Sequence, residues 1–401
     1  MKFRGIKKAA SIVAVLGVAT LTACGSSSTG VEGSPTGHNP PDVPMLQSLG
    51  KGEGELNLIA WAGYAEDGSD DKSVDWVHPF EDQTGCKVNV KYGATSDEMV
   101  QLMQTGQYDG VSASGDATLR LIYGGDVAPV NTDLVPNYKT ISDFLKDQPF
   151  NSVNGQMYGI PHGWGANVLM WNKAVVKDAP TSWGAVFDSD SPYSGKITAY
   201  DSPIYIADAA LYLSKSQPDL GITDPYSLTE KQLDAAIDLL SQQKSTIGEY
   251  WSDYTKEVQA FEAGSSVLGT SWQVIANLIN ADKKVQVGTT IPTEGSTGWS
   301  DTWMISSKAA HPNCMYEWMD WITSPKVNAQ VAEWFGEAPS QTLACKETSD
   351  PTFCDTYHAT DSAYASQIHY WTTPQTQCVD GSGDDCTDYS EWVTKWQEMK
   401  G

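Results

Sequence analysis

The chain has 401 residues, with 50 Asp and Glu against 25 Lys and Arg and a net charge of −25. Such acidity repels nucleic-acid phosphates and anionic membranes and suits a cationic partner. Seven cysteines are present, but no CxxC or Cys/His ligand spacing occurs, so neither a zinc site nor a cofactor is expected.

Residues 1–23 read as a secretory leader: a basic start (Lys2, Arg4, Lys7, Lys8), then an apolar run from Ala9 to Leu21. The run is short for a membrane span, and no later stretch has the ~18 apolar residues that one needs. It ends in Leu21-Thr22-Ala23-Cys24, which resembles the bacterial lipoprotein box, where the cysteine takes the lipid and becomes the first mature residue. Cys24 is thus the expected anchor. Residues 24–53 start from this lipidated cysteine, and their stretch from Gly25 to about Pro44, rich in Gly, Ser and Pro, is the composition of a tether. Removing the four basic leader residues takes the net charge from −25 to −29.

Six cysteines remain, an even number outside the cell, and six allow fifteen pairings. The short separations favour Cys345–Cys354 and Cys378–Cys386, which leaves Cys86–Cys314.

The mature body exceeds one comfortable core and predicts two domains. Strand patterns fall at Leu56 to Trp61, Cys86 to Tyr92, Lys196 to Tyr200, Ser266 to Trp272, Val285 to Ile291 and Asp301 to Ser306. Helix signals lie between them. Ser96 is placed to cap a helix stopped by Gly106. Ser227-Leu-Thr-Glu230 reads as a capping box, and Ser324-Pro325 opens a helix that Gly336 ends. This alternation predicts an α/β fold.

Motifs occur along the chain in a recognisable order. They are Trp61-Ala-Gly-Tyr64; Tyr108-Asp-Gly-Val-Ser-Ala-Ser114; Tyr158-Gly-Ile-Pro-His-Gly-Trp-Gly165; Thr181-Ser-Trp183; Ser194-Gly-Lys-Ile197 leading to Asp201; Val267-Leu-Gly-Thr-Ser-Trp272; Pro292-Thr-Glu-Gly295 running into Trp299-Ser-Asp301; and Gly336-Glu-Ala-Pro339. In this order the chain from about residue 54 onward resembles the spermidine/putrescine-binding proteins, the receptors of polyamine ABC importers. The resemblance implies the two-lobe periplasmic-binding-protein fold, with a ligand cleft and crossing hinge strands. Lobe one is expected over 54–168 and 301–345, lobe two over 169–300 and 346–401. It implies no enzyme, a small cationic amine as ligand, an ABC permease as partner, a lipid anchor, and a monomer.

A protonated amine calls for a carboxylate and for aromatic faces. Trp299 and Asp301 supply both two residues apart, on one side of a strand. In the family this motif carries the acidic contact, so Asp301 is the leading candidate. Trp61 and Tyr64 follow the first strand, where a loop faces the cleft. Trp272 matches a family cleft tryptophan, Asp201 a carboxylate of lobe two, Ser114 a hydroxyl contact and Trp164 an aromatic near the hinge. Two positions depart from the family: Asp116 and Glu337 stand where tyrosines are common, which predicts a more anionic, less aromatic pocket. Gln375 and Gln377 lie near the family's late cleft contact. The alternatives weighed are a receptor for a quaternary amine, a neutral-sugar receptor of the same architecture, and a secreted carboxylate-dependent glycoside hydrolase. No G-x-S-x-G or HExxH motif supports an enzyme.

Overall fold

The computed structural model describes residues 39–383 and 385–401, so the leader and Cys24 lie outside the described residues. Thirteen strands are described: β1 (Glu55–Ala60), β2 (Lys87–Tyr92), β3 (Gly110–Ala113), β4 (Ser152–Val153), β5 (Gln156–Met157), β6 (Ile160–Asn172), β7 (Ile197–Tyr200), β8 (Ile247–Trp251), β9 (Leu268–Trp272), β10 (Val287–Thr290), β11 (Ser296–Ile305), β12 (Ala338–Pro339) and β13 (Ile368–Tyr370). Apart from the hairpin β4–β5 they form one sheet, ordered β2-β1-β3-β11-β6-β9-β7-β8, with β10 and β12 on β6 and β13 on β11. Parallel pairs sit at both ends, β1 with β2 and β3, and β7 with β8 and β9.

Antiparallel β6 and β11 run between these ends and join them. The first part of β6 pairs with β11, Trp164 opposite Ser300 and Gly163 opposite Asp301. Its second part pairs with β9 and β10. Packing follows the same division. Ile160, Trp164, Ala166 and Val168 belong to a core with Leu56, Leu58, Phe80 and Trp318. Leu169 and Trp171 belong to another with Trp183, Ile197, Leu233 and Trp392. Full burial of each such large apolar side chain contributes ~1.5–3 kcal/mol. These are the two lobes of a periplasmic-binding-protein fold.

Core membership changes between Val168 and Leu169, between Trp299 and Trp303, and again late in the chain. Phe353, Cys354, Ala359, Ala365 and Ile368 pack in the first core, and Trp371, Trp392 and Trp396 in the second. The segment from 346 to about 368 therefore packs against lobe one rather than the expected lobe two. The Cys345–Cys354 disulfide ties it there. The other bridges join Cys86 to Cys314 and Cys378 to Cys386, so all three are the expected pairs.

Two helix starts differ from the sequence reading. Thr95, not Ser96, caps Ser96–Gln104, because its hydroxyl accepts from the Glu98 amide. The capping box is Thr229 with Gln232, opening Glu230–Gln243, while the Ser227 hydroxyl accepts from the Asp380 amide. Helix Pro325–Phe335 runs from Ser324 to Gly336 as expected, with Gly336 at φ 88°. No described helix is long and apolar enough to cross a membrane.

Candidate functional site

The crossing strands carry the candidate site. Asp301 lies in β11, 3% exposed, two residues after Trp299. Across the sheet, β6 places Gly165 opposite Trp299 and Gly163 opposite Asp301. A Cβ on Gly165 would come 2.9 Å from the Trp299 ring, and one on Gly163 would fall 2.0 Å from the Glu337 carboxyl carbon. The alternate glycines of His162-Gly-Trp-Gly165 thus make the space that the indole and the carboxyl occupy. Trp164, between them, is fully buried in the lobe-one core, edge-on to Phe144 at 5.2 Å.

Hydrogen bonds gather around Asp301. Ser114 precedes helix Gly115–Tyr123, but its hydroxyl turns from the helix and donates to Asp301 Oδ1 at 2.6 Å. The Tyr64 phenol, in the loop after β1, lies 2.7 Å from Asp301 Oδ2 and 2.8 Å from Glu337 Oε2. Asp116, in the first turn of the Gly115–Tyr123 helix, accepts from Ser96 Oγ at 2.9 Å.

Burial is the main cause of each pKa shift here. It raises Asp301 to about 6, against the lowering bonds from Ser114 and Tyr64, with the Asp116 charge adding to the rise. Asp116 also rises to about 6 by burial, offset by the Ser96 bond and by Arg120. Glu337 is pushed well above the usual carboxylate range by burial and then by Asp301. Burial alone lowers His162 to about 3. No lysine or arginine among the described residues pairs with Asp301 or Glu337.

Aromatic rings complete the surroundings. Phe335 stacks on Tyr64 at 4.2 Å and meets Trp299 edge-on at 6.1 Å. Trp272 stands 6.4 Å from Trp299 and 5.5 Å from Tyr200, with its indole N–H donating to Asn167. Tyr200 stacks on Trp371 at 5.8 Å. Removal from water, then Asp116, Asp301 and Asp201, raise the Tyr200 phenol, which places its ring within the field of these acids.

Of the residues singled out in the sequence, Tyr64, Ser114, Asp301 and Glu337 form one hydrogen-bonded group. Asp116 is coupled to that group by charge. Trp299 and Trp272 are part of its aromatic wall. Trp61 is half-buried, with a shielded indole N–H that has no hydrogen-bond partner. Asp201 is neither a helix cap nor a member of the group; it pairs with Lys400 at 3.1 Å. Sequence reading missed Tyr200, Phe335 and Trp371. Tyr200 ends a strand one residue before the chosen Asp201. Gly115 marks Trp371, since a Cβ there would fall 1.7 Å from the Trp371 carbonyl oxygen.

A cavity of about 20 Å³ touches Trp164, Trp272, Trp299 and Glu337. That is far below the ~300–1,000 Å³ of small-molecule pockets, so the lobes are closed and must part to admit a ligand. A larger space of about 330 Å³ lies elsewhere, between Tyr123, Asp147 and the 375–381 segment, and contains Gln375 and Gln377. Its lining includes one acid and one aromatic ring, so it lacks the convergence seen around Asp301.

The sequence profile of the family described as bacterial extracellular solute-binding protein matches residues 75–352. The spermidine/putrescine-binding periplasmic protein of Escherichia coli (strain K12) is 25% identical over 314 residues, covering 74% of this chain and 85% of that protein. Among solved structures, the spermidine/putrescine ABC transporter substrate-binding protein PotD of Streptococcus pneumoniae superposes with a TM-score of 0.66 at 17% identity, over 86% of this chain and 97% of that one. The Tp0655 lipoprotein of Treponema pallidum gives 0.65 at 17%, over 86% and 98%.

Proposed function

We propose that this chain, which belongs to the bacterial extracellular solute-binding protein family, captures a small polyamine of the spermidine/putrescine class between its lobes and hands it to a membrane permease. The observation that carries the reading is Asp301: a buried carboxylate at the crossing of the lobes with no lysine or arginine as counter-ion among the described residues. A charge so placed is costly until a cation arrives. The rings of Trp299, Trp272 and Tyr200 suit the alkyl chain and the residual positive potential of an amine, at ~0.5–2 kcal/mol per cation–π contact. The name borne by the Escherichia coli relative supports the same ligand class.

A primary ammonium fits better than a quaternary one, because it can donate hydrogen bonds to Asp301. Closure of the lobes around the amine would strengthen these contacts and present the form a permease recognises. Cys24 would hold the protein at the outer face of the cell membrane, an arrangement that the lipoprotein among the structural neighbours supports. The chain would work as a monomer.

Intrinsic tryptophan fluorescence, titrated with putrescine, spermidine, choline and maltose, tests the reading. Saturable changes with putrescine or spermidine are expected. A response to choline alone would make it a quaternary-amine receptor, and a response to maltose alone a sugar receptor. Chemical turnover of any of the four would defeat the binding role.

A further inference from the structure

Tyr64 lies within hydrogen-bond distance of two carboxyl groups, Asp301 Oδ2 at 2.7 Å and Glu337 Oε2 at 2.8 Å. A phenol has one hydrogen and donates once. With both acids ionised, one contact would set a phenol oxygen against a carboxylate oxygen with no hydrogen between them, and all three residues are buried. The trio therefore needs one more proton.

The surroundings decide where that proton sits. Asp301 is also bonded by the Ser114 hydroxyl, which suits a carboxylate. Glu337 Oε1 has no hydrogen-bond partner. Few groups face Glu337. Tyr64 comes from the loop after β1, Asp301 from β11, and His162 Nδ1 from β6 stands 3.8 Å away. Tyr357, from the segment after the Cys345–Cys354 bridge, feels the Glu337 charge, and the Asp116 charge acts on Asp301. His162 is neutral, so none of these groups supplies a positive charge.

We infer that Glu337 stands as a neutral acid in the closed cleft, donating to the Tyr64 phenol oxygen while Tyr64 donates to ionised Asp301, and that a captured ammonium displaces the Glu337 proton. The Glu337 O–H bond breaks, the proton passes to the buffer, and a ligand N–H becomes the donor to the new carboxylate. An ammonium has three such donors and can serve both acids. Glu337 touches the same small cavity as Trp272 and Trp299, which places it where the ligand would arrive. The displacement step rests on the amine reading above; the protonation of Glu337 does not.

Infrared spectroscopy of the unliganded protein at about pH 7 tests the protonation. Asp208 and Glu257, raised to about 8, also contribute protonated-carboxyl absorption at this pH. The wild-type minus Glu337→Gln difference spectrum is therefore expected to show one protonated carboxyl; identical spectra overturn it. Calorimetry of the wild type with putrescine, in phosphate and in Tris, tests the displacement and needs no variant. The heats should differ as release of about one proton requires, with affinity rising about tenfold per unit of pH while Glu337 is protonated. Binding with no buffer dependence overturns the displacement. Absence of binding by any amine would defeat the amine reading and the displacement together, and the infrared difference would still decide the state of Glu337.

Discussion

The two glycines of β6 show how much a single position holds in place. Gly163 leaves the space that the Glu337 carboxyl fills, so Gly163→Ala forces Glu337, and with it Tyr64, to shift. Overpacking of this kind costs ~1–3 kcal/mol. Urea denaturation should show a loss in that range, and putrescine affinity should fall with it. An unchanged midpoint and affinity would mean that the Gly163 contact is slack. Tyr64→Phe is expected to cost a similar ~1–3 kcal/mol, since two buried carboxyl groups lose a partner. At this scale the sequence was informative where a motif coupled an acid to a ring, as Trp299 and Asp301 do. It was uninformative where the partner came from elsewhere in the chain: nothing local ties Tyr200 to Trp371, or Phe335 to Tyr64.

Among the elements, the crossing strands were the hardest to read. β11 covers Ser296–Ile305, whereas the strand pattern was read from Asp301 with only Trp299 taken as extended before it, because the polar Ser-Thr-Gly stretch that opens it carries no apolar alternation. All ten of its positions are buried; the Asn167 amide donates to Thr297, while the Ser300 and Thr302 hydroxyls have no hydrogen-bond partner among the described residues. The same blindness hid β6, whose glycines look like turn signals but serve the Glu337 and Trp299 side chains. Of the parallel strands at either end, β1, β2, β7 and β9 were legible to within a residue or two, whereas β3 and β8 were not read as strands. Cysteine arithmetic also carried through. Cys86–Cys314 links the start of lobe one to a helix 228 residues later. Its reduction should lower stability by ~2–5 kcal/mol in chemical denaturation. Thiol titration of the unreduced mature protein after unfolding should find no free thiol; two or more would refute the three bridges.

For the whole molecule, buried acids set the response to pH. Asp208 and Glu257 are both raised to about 8, chiefly by burial. Glu257 is held between Thr198 and Ser271, where it ties β7 to β9. Such groups bind their protons more tightly folded than unfolded. Their contribution to stability is greatest below the unfolded pKa of ~4 and is lost as pH rises through about 8. Carboxylates held low by hydrogen bonds, such as Glu53 and Glu81, act oppositely, and their contribution is lost only as pH falls below that range. The melting temperature should therefore be highest in mildly acidic buffer and fall between about pH 5.5 and 8.5. Glu257→Gln should flatten that slope, and an equal slope in the variant would remove Glu257 as its source.

The closed lobes bring together a buried anion and a set of aromatic rings, and the account stands on a positive ligand meeting them there. Calorimetric titration of the wild type and of Asp301→Asn with putrescine, beside circular dichroism of both, tests this most directly. The variant is expected to keep its fold and to bind at least about tenfold more weakly, the loss of a charge-assisted hydrogen bond. Equal affinity in the two proteins would contradict the account.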